Sequence, residues 1–440
     1  MTAEAKLSPR AQRRQTKLES TAQRLDTLKL PESGPWLRRA REAALARLRK
    51  TGLPDRRDEY WKFTDPASLV AAEVLPAKVL EITDEAEAGV FNAIDRLKIV
   101  FVDGVFDPDA SDDLSAEGLE IARLSEVGSR DIHWARDLYG TLEAAGQDPV
   151  KRPLATLNTA IATDGIVIRV TGRVSRPVSL TYLRRDPSAE MVLHHLIKVE
   201  AGAELTLLEN GPGAARLSTV TEACVADNAA FHHVRAQGRD HERRAITHLF
   251  ARLGQSSVLK SFTLTANGAL TRNESVVWLN GKGGSAHVAG AAMGDGKFLH
   301  DDTVFVTHAA PECESRQVFK KVLRNGAVGV FQGKILVHQV AQLTDGYQIS
   351  QSLLLNETSQ FLAKPELEIY ADDVKCSHGS TSGEIDPDHL FYLRARGLSE
   401  ETAKGLLVLA FLAEALEEIA REDLADEIRE RLRGWISRHQ

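Results

Sequence analysis

The sequence predicts a mainly β core between helical ends, and two observations lead to this prediction. From about residue 151 onward, short β-rich runs follow one another for roughly 200 residues without a long helix. Before and after this stretch, apolar residues recur at helical spacing. Parallel strands usually need crossover helices, so a helix-free stretch with repeated turns is typical of a β-helix or of a β-sandwich. The residues alone leave both folds open.

Small polar turns separate the β-rich runs and give the core a degenerate repeat. An alternating strand follows several of these turns, as in Glu204–Leu208 and Ala286–Val288. The first three turns are similarly spaced and the later ones lie further apart, which indicates one rung-like unit repeated without a strict period. The turns are Ala201-Gly202-Ala203, Asp227-Asn228-Ala229, Gln255-Ser256-Ser257, Gly283-Gly284-Ser285 and Asn325-Gly326-Ala327.

Residues 1–150 are predicted to form a helical and mixed region. Between Pro35 and Lys50, apolar residues recur near helical spacing with Arg and Glu between them, which indicates an amphipathic helix. The segment Tyr60–Thr64 contains three aromatic residues before Pro66 prevents a helix. We expect this segment either to anchor the region onto another domain or simply to pack into the core. Residues 66–150 mix short strands with helical pieces.

Residues 386–440 are predicted to form a C-terminal helical domain. Asp386 is expected to cap a helix that has Pro387 at its first position, and Ser399 begins the next helix. The expected apolar faces comprise Leu390, Phe391 and Leu393; then Leu406, Leu409, Ala410, Ala413, Leu416 and Ile419; and finally Leu424, Ile428, Leu432, Trp435 and Ile436. We expect this unit to cover the end of the β stack or to bind a partner. The predicted domains are therefore 1–150, 151–385 and 386–440.

Composition narrows the class of protein. The net charge of −7 and the isoelectric point near 6.1 provide no positive field for a polyanion, so nucleic acid is not an expected partner. The 3 cysteines lie far apart without a C-x-x-C pair, which favours a reducing cytoplasm.

The apolar stretch Leu406–Ala413 is far shorter than the roughly 20 residues of a membrane span, so no membrane association is expected. The first 20 residues, which include Arg10, Arg13, Arg14 and Lys17, are expected to form a charged, frayed tail.

The segment from Asp372 to Thr381 carries a candidate metal site. If the chain remains extended after the strand Glu366–Tyr370, Cys376 and His378 point to one face with Cα atoms about 6.5 Å apart. Thiolate and imidazole are suitable ligands for iron or zinc, but two ligands complete only half of a tetrahedral site. The remaining ligands could come from a second chain at an interface. The simplest alternative is a cysteine packed as a small hydrophobic residue beside a loop histidine.

Other candidate motifs lack essential parts. Gly290–Lys297 resembles a phosphate-binding loop but has the wrong spacing, and Phe298 stands where Ser or Thr should bind magnesium. Gly211–Arg216 lacks the third glycine of a dinucleotide-binding loop. We therefore expect this chain to bind no nucleotide.

The remaining histidines and cysteines are expected to be structural. The pairs His194-His195 and His232-His233 lie in strand-like runs, where neighbours face opposite sides and cannot easily bind one ion. Cys224 and Cys313 have no ligand pattern near them.

Three motifs in the second half of the chain are more specific. They are Asn325–Val337, then Ala341–Gln348 with Leu353–Leu355, and Pro365–Gly379 followed by Leu390–Gly397. Together with Tyr60–Thr64 they resemble the SufB/SufD family of the SUF iron-sulfur cluster assembly system. The form Cys376-Ser377-His378 and the segment Leu390–Gly397 are similar to the SufD branch. The N-terminal cysteine cluster common in SufB-type chains is absent from this sequence.

The resemblance implies a right-handed parallel β-helix between N-terminal and C-terminal helical regions, acting as a non-catalytic scaffold subunit for iron-sulfur cluster assembly. It implies pairing with a SufB-type paralogue along the β-helix and docking of a SufC-type ATPase on the C-terminal helices. It also implies transient binding of iron or a nascent iron-sulfur cluster near the SufB–SufD interface, with His378 as a ligand and Cys376 as a second candidate. A homodimer of the isolated chain stays open.

Two other functions remain alternatives at this stage. A β-helix enzyme acting on polysaccharide would usually be exported and would need a catalytic cluster, and the sequence shows neither a signal peptide nor such a motif. A purely structural interaction scaffold without metal ligands is the stronger alternative. Replacing His378 and measuring cluster formation in the whole complex distinguishes it from the metal-binding scaffold.

Overall fold

Two long β-sheets run through the centre of the molecule, with helices at both ends of the chain. The computed structural model describes residues 8–79, 89–130, 133–211, 213–238 and 240–439. The helices are α1 (Pro9–Asp26), α2 (Pro35–Thr51), α3 (Ala67–Val70), α4 (Leu124–Val127), α5 (Ala135–Leu138), α6 (Thr141–Ala145), α7 (Pro153–Ile161), α8 (Pro387–Arg394), α9 (Glu400–Leu416) and α10 (Glu422–Arg438), with a 3-10 turn over Glu59–Trp61. The strands are β1 (Leu97–Val102), β2 (Val105–Asp107), β3 (Leu119–Arg123), β4 (Ile166–Val170), β5 (Val178–Leu183), β6 (Glu190–Val199), β7 (Glu204–Asn210), β8 (Arg216–Val225), β9 (Ala230–Gln237), β10 (Arg244–Leu253), β11 (Val258–Ala266), β12 (Leu270–Leu279), β13 (Ser285–Asp295), β14 (Leu299–His308), β15 (Glu314–Arg324), β16 (Val328–Val337), β17 (Thr344–Leu354), β18 (Gln360–Ile369) and β19 (Val374–Gly383).

The chain passes from one sheet to the other at each successive strand of the core. Odd-numbered strands from β5 to β19 lie in order in a ten-stranded sheet, and even-numbered strands from β4 to β18 lie in order in a nine-stranded sheet. Strands two apart in sequence pair in parallel, for example β14 with β16 and β16 with β18. This topology is a parallel β-helix of about seven turns and excludes a sandwich of antiparallel sheets. The predicted fold class is therefore confirmed.

Tight turns with left-handed backbone stack along one edge of the β-helix. Gly202, Asn228 and Gly283 have positive φ, a conformation that Gly and Asn adopt at low cost. The Gly202 N–H donates to the carbonyl of Asp227 at 3.0 Å, and the Asn228 N–H donates to that of Gln255 at 2.8 Å. Register partners on adjacent rungs lie between 26 and 32 residues apart in sequence, as for Arg244 with Leu270 and Val328 with Gln360. This variable rung length explains why the sequence repeat is degenerate.

The adjacent histidines lie on strands and face opposite sides, as predicted. His195 points into the β-helix, where its Nε2 lies 3.1 Å from the hydroxyl of Tyr182. His194 points outward, and its Nε2 lies 2.7 Å from Glu222 Oε1. Each ring therefore has its own buried partner.

The aromatic segment Tyr60–Thr64, which follows α2, packs against the β-helix and thereby anchors the N-terminal region to it. Tyr60 and Trp61 are buried, and the guanidinium of Arg272 lies 4.2 Å from the Trp61 ring centroid on the outer face of the nine-stranded sheet. Arg272 also donates to the Tyr60 carbonyl at 2.8 Å, and the Tyr60 hydroxyl donates to Glu366 on β18. The two expectations for this segment are therefore both met, because the surface that buries the rings is the β-helix itself.

The N-terminal residues differ from the expected frayed tail. Residues 1–7 lie outside the described residues, but α1 follows directly, with Ser8 as its N-cap. Thr21 and Leu25 on this helix are buried, and the Thr21 hydroxyl accepts a hydrogen bond from the Leu53 N–H at 2.9 Å. The prediction is wrong from residue 8 onward because a few apolar positions among the charges are enough to pack α1 on α2.

The helices α9 and α10 pack on the outer side of the ten-stranded sheet. Val408 and Leu412 share one buried cluster with Phe262 and Met293 of the sheet, so these helices cover a side of the β-helix and not its end. The predicted apolar face of α10 is confirmed as buried. The predicted face of α9 is wrong for most positions, since Ala403, Val408, Leu412, Ala415 and Leu416 are the buried residues.

The error in α9 has a physical cause. This helix is apolar almost all the way round, so its periodicity does not determine which side meets the sheet. Leu406, expected to be buried, is 47% exposed. Among the described helices, none combines the length and apolar character that crossing a membrane requires. The division at residues 150 and 385 stays a prediction.

Candidate functional site at the open end of the β-helix

The final rung of the β-helix has an open edge on each sheet. In the described part of the chain, β19 pairs only with β17, and β18 pairs only with β16. Most side chains of these two strands are partly or fully exposed, unlike those of the preceding rungs. The outer backbone N–H and C=O groups of such strands are available to another chain.

Cys376 and His378 both lie on β19, the last strand. The predicted extended conformation is confirmed, and residues two apart on a strand share one face. In the register with β17, Cys376 lies beside Gly346 and His378 lies beside Gln348, and both of these β17 residues are buried in the interior. Cys376 and His378 therefore continue the interior face of the β-helix at its open end.

The surroundings of the two candidate ligands differ. Cys376 is half-buried and packs against an apolar cluster that includes Ile335 and Val337. Burial raises the pKa of the Cys376 thiol, which disfavours the thiolate that binds metals. His378 is exposed at the mouth of the β-helix. The imidazole is therefore the more accessible donor of the two.

The donor set of this chain is incomplete by itself. Among the residues that the structure describes, no group of three or more His, Cys, Asp or Glu side chains is arranged to hold a metal ion. Cys376 and His378 are two donors, fewer than a tetrahedral iron or zinc centre needs. Their assignment as ligands stays a prediction.

A column of polar side chains lies in the interior beneath His378, and the sequence reasoning missed it. The Nε2 of the buried Gln348 donates to Gln317 Oε1 at 2.7 Å, whereas Gln348 Oε1 has no hydrogen-bond partner among the described residues. Further along the same strands, Ser350 donates to Ser380 at 3.1 Å. Only the register of rungs about thirty residues apart reveals this column, although Gln348 belongs to one of the motifs singled out in the sequence.

A second exposed surface lies on the C-terminal helices. The capping of α8 is confirmed, since the Asp386 carboxylate accepts hydrogen bonds from the N–H groups of Asp388 and His389. However, α8 has no buried residue, and Phe391 and Tyr392 are 74% and 55% exposed. Because large apolar side chains are rarely left in water together, this surface is typical of an interaction site.

The structure describes the other candidate motifs to different extents. Gly290 lies within β13, and the phenyl ring of Phe298 is buried, so no phosphate-binding loop is formed there. The glycine-rich segment Gly211–Arg216 includes Pro212, which lies outside the described residues. Cys313 is buried, and its thiol donates to the Gly281 carbonyl at 3.3 Å.

Comparison with known protein families decides what kind of protein this is. A family model described as the SUF system FeS cluster assembly, SufBD core domain, matches residues 183–411. A second, described as the SufBD protein N-terminal region, matches residues 22–180. This chain belongs to the SufBD family. The two matches meet within β5.

Relatives within the SufBD family align along most of the chain. The iron-sulfur cluster assembly protein SufD of Escherichia coli is 30% identical, covering 88% of this chain and 90% of that protein. A SufBD family protein of Synechocystis is 28% identical, covering 89% of each chain. The SufD protein of Bacillus subtilis is 24% identical, covering 89% of this chain and 92% of its own length. The predicted resemblance is thereby confirmed: the chain is a SufBD-family iron-sulfur cluster assembly protein.

Proposed function

We propose that this chain is a cytoplasmic, non-catalytic scaffold subunit of SufD type that supplies His378 to iron or to a nascent iron-sulfur cluster at an interface with a SufB-type paralogue. The observation that carries this proposal is the position of His378. It is an exposed imidazole on the interior face of an edge strand, where the β-helix ends without a covering rung.

The open edges of β18 and β19 suit docking of a second β-helix. Main-chain groups on these strands can pair with strands of another chain, as in recognition by strand addition. The interior side chains of the rung are only partly covered, among them Phe361 and Leu367. Burying them against a paralogue with the same rung geometry removes apolar surface from water, at about 25 cal/mol per Å².

An interface would also complete the ligand set. Two donors on one strand hold a metal weakly, whereas ligands from the paralogue close the coordination shell. Metal affinity is then coupled to assembly of the two chains. In this scheme the iron and sulfide are cargo, and the isolated chain binds little of either.

We place the SufC-type ATPase on exposed apolar side chains of α8 and α9, among them Phe391, Tyr392 and Leu406. Aromatic side chains frequently dominate the binding energy of protein interfaces. The buried faces of α9 and α10 are occupied by the ten-stranded sheet, so they are not available to a partner. The docking surface is therefore α8 with the exposed side of α9.

The decisive experiment uses the complex of this chain with SufB-type and SufC-type chains. His378→Ala should leave the subunits associated, because an exposed imidazole contributes little packing, and should lower the iron and sulfide per complex sharply. His241→Ala is the matched control, since His241 is also exposed but lies on a turn remote in sequence from the last rung. Wild-type cluster content in His378→Ala would support the alternative, a structural scaffold without metal ligands.

A further inference from the structure

Four large apolar side chains are exposed together at one corner of the open end of the β-helix. Val340, Leu343, Ile369 and Tyr370, the corner patch, are between 38% and 66% exposed. The first two lie in the turn between β16 and β17, and the other two lie where β18 leads into the turn before β19. The Leu343 N–H donates to the carbonyl of Asp373 at 2.6 Å, so these two turns are stacked on adjacent rungs. Large apolar side chains exposed together are typical of an interaction site.

Leu343 has a backbone conformation that suits leucine poorly. Its φ is +60°, in the left-handed region that Gly and Asn adopt at lower cost. The same position recurs in five earlier turns, where the N–H of a left-handed residue donates to a carbonyl of the next turn at 2.8 to 3.1 Å. The six residues are, in chain order, Gly202, Asn228, Ser256, Gly283, Glu312 and Leu343. Only the last of them is apolar.

Neither the backbone nor the solvent favours leucine at position 343. Glycine or asparagine would relieve the backbone, and a polar side chain would be better solvated on an exposed turn. An unfavourable backbone conformation at an exposed position indicates a function for the side chain that occupies it. The exposed apolar neighbours of Leu343 indicate that this function is contact with another molecule.

The stacked turns indicate the architecture of that molecule. In the described part of the chain, the ladder of hydrogen bonds between turns ends at residues 370–373, because β19 begins no further rung. A turn of another parallel β-helix has the geometry to continue this stack. The corner patch also adjoins the open edges of β18 and β19. The molecule that fits here is therefore a second β-helix chain.

Charge favours a paralogue over a second copy of this chain. Asp372 and Asp373 are exposed in the last turn, beside the corner patch. A dimer of identical chains usually has twofold symmetry, so a dimer centred on this corner would bring these carboxylates toward their own copies. Like charges repel at such distances. A paralogue with a different turn avoids this repulsion.

We propose that the corner patch is the apolar anchor of the interface with the SufB-type paralogue. The identity of this partner rests on the proposed function. Burial of the four side chains in the complex removes apolar surface from water, a gain that the isolated chain does not have. That gain offsets the cost of the Leu343 backbone only when the partner is bound.

The test compares stability and binding in the full-length chain. Leu343→Asn suits the left-handed backbone, so the denaturant midpoint of the isolated chain should stay at the wild-type value or rise. The same variant should weaken binding of the purified SufB-type chain about tenfold, measured by titration calorimetry. Ser256→Asn is the matched control, because Ser256 occupies the same position in an earlier turn with φ of +51°. The control should bind with wild-type affinity.

Tyr370→Ser decides if Leu343→Asn lowers the denaturant midpoint. The Tyr370 side chain is 59% exposed, and its hydroxyl donates to the exposed Glu368 at 2.5 Å. Removing the ring should therefore leave the midpoint unchanged and weaken binding of the SufB-type chain about tenfold.

Wild-type affinity in both Leu343→Asn and Tyr370→Ser would overturn the proposal. A homodimer of the isolated chain that Leu343→Asn dissociates, measured by sedimentation, would also overturn it, because the corner patch would then join two copies. These results differ from a failure of the proposed function. His378→Ala should bind the SufB-type chain with wild-type affinity, and its cluster content tests the metal role separately. No binding by the wild-type chain would refute the proposed partner and, with it, this assignment.

Discussion

Gln348 and His378 are register partners on β17 and β19, the first fully buried inside the β-helix and the second exposed at its open end. The two residues are neighbours across adjacent strands, so the buried interior of the β-helix lies directly beside the exposed end where we propose that a second chain docks.

Cys376→Ser should reduce cluster content less than His378→Ala does. The thiol packs against the apolar cluster that includes Ile335 and Val337, and burial raises its pKa, so it is a poor ligand at neutral pH. Iron and sulfide per purified complex provide the measurement. Equal losses in the two variants would mean that both side chains bind the metal.

Phe391→Ala and Tyr392→Ala should each weaken binding of the SufC-type ATPase by about tenfold, because truncating a central aromatic residue of an interface typically costs more than 1 kcal/mol. Titration calorimetry with the purified ATPase measures this change. Val105→Ala is the control, since Val105 is an exposed apolar residue on β2. Undiminished affinity in both aromatic variants would place the ATPase elsewhere.

Point variants are preferable to deleting residues 399–440. Such a deletion would expose the buried cluster that α9 and α10 share with the ten-stranded sheet, including Phe262 and Met293. A loss of ATPase binding would then reflect damage to the β-helix as readily as loss of the docking surface.

Arg272→Ala should destabilise the fold by about 3–5 kcal/mol, because removing one member of a buried ion pair leaves the other charge uncompensated. The guanidinium lies 2.6 Å from Glu274 and 2.5 Å from Asp301, and it also holds Tyr60 through its backbone carbonyl. Denaturant unfolding monitored by tryptophan fluorescence measures the change.

Arg176→Ala serves as the comparison, since Arg176 pairs with Asp95 at the surface. That variant should lose less than about 1 kcal/mol. Similar losses in both variants would show that the cluster around Arg272 does not secure the N-terminal segment to the β-helix.

Acid should begin to destabilise the protein near pH 6.5, above the range in which carboxylates titrate. Burial lowers the pKa of His195, His248 and His308 to about 4, from an ordinary value near 6.5. The unfolded chain therefore binds protons in this interval that the folded chain does not, and stability falls as pH decreases from about 6.5 to about 4.

The denaturant midpoint as a function of pH measures this effect. His308→Gln should reduce the slope between these pH values, because burial alone depresses the pKa of that ring. A midpoint independent of pH from 6.5 to 4 would contradict the account.

Local signals made much of the fold predictable from the sequence. Alternation identified the strands, and the caps Asp386 and Ser399 marked two helix starts, because capping depends on residues only two or three positions away. The face of α9 was not predictable in the same way, since a nearly uniform apolar helix is oriented by whatever surface it meets.

The candidate site likewise combines features that the local sequence predicts with features that depend on distant parts of the chain. That Cys376 and His378 share a face follows from the two-residue period of a strand. That Gln348 lies beside His378 depends on the register of two rungs, which is set by loop lengths across some thirty residues. The open end is likewise a property of the whole stack and has no local signature.

The most direct test of the central claim is the cluster content of the three-component complex carrying His378→Ala. The account predicts an intact complex whose iron and sulfide fall to a small fraction of the wild-type values, while His241→Ala matches the wild type. Wild-type iron and sulfide in His378→Ala, with all subunits present, would contradict it.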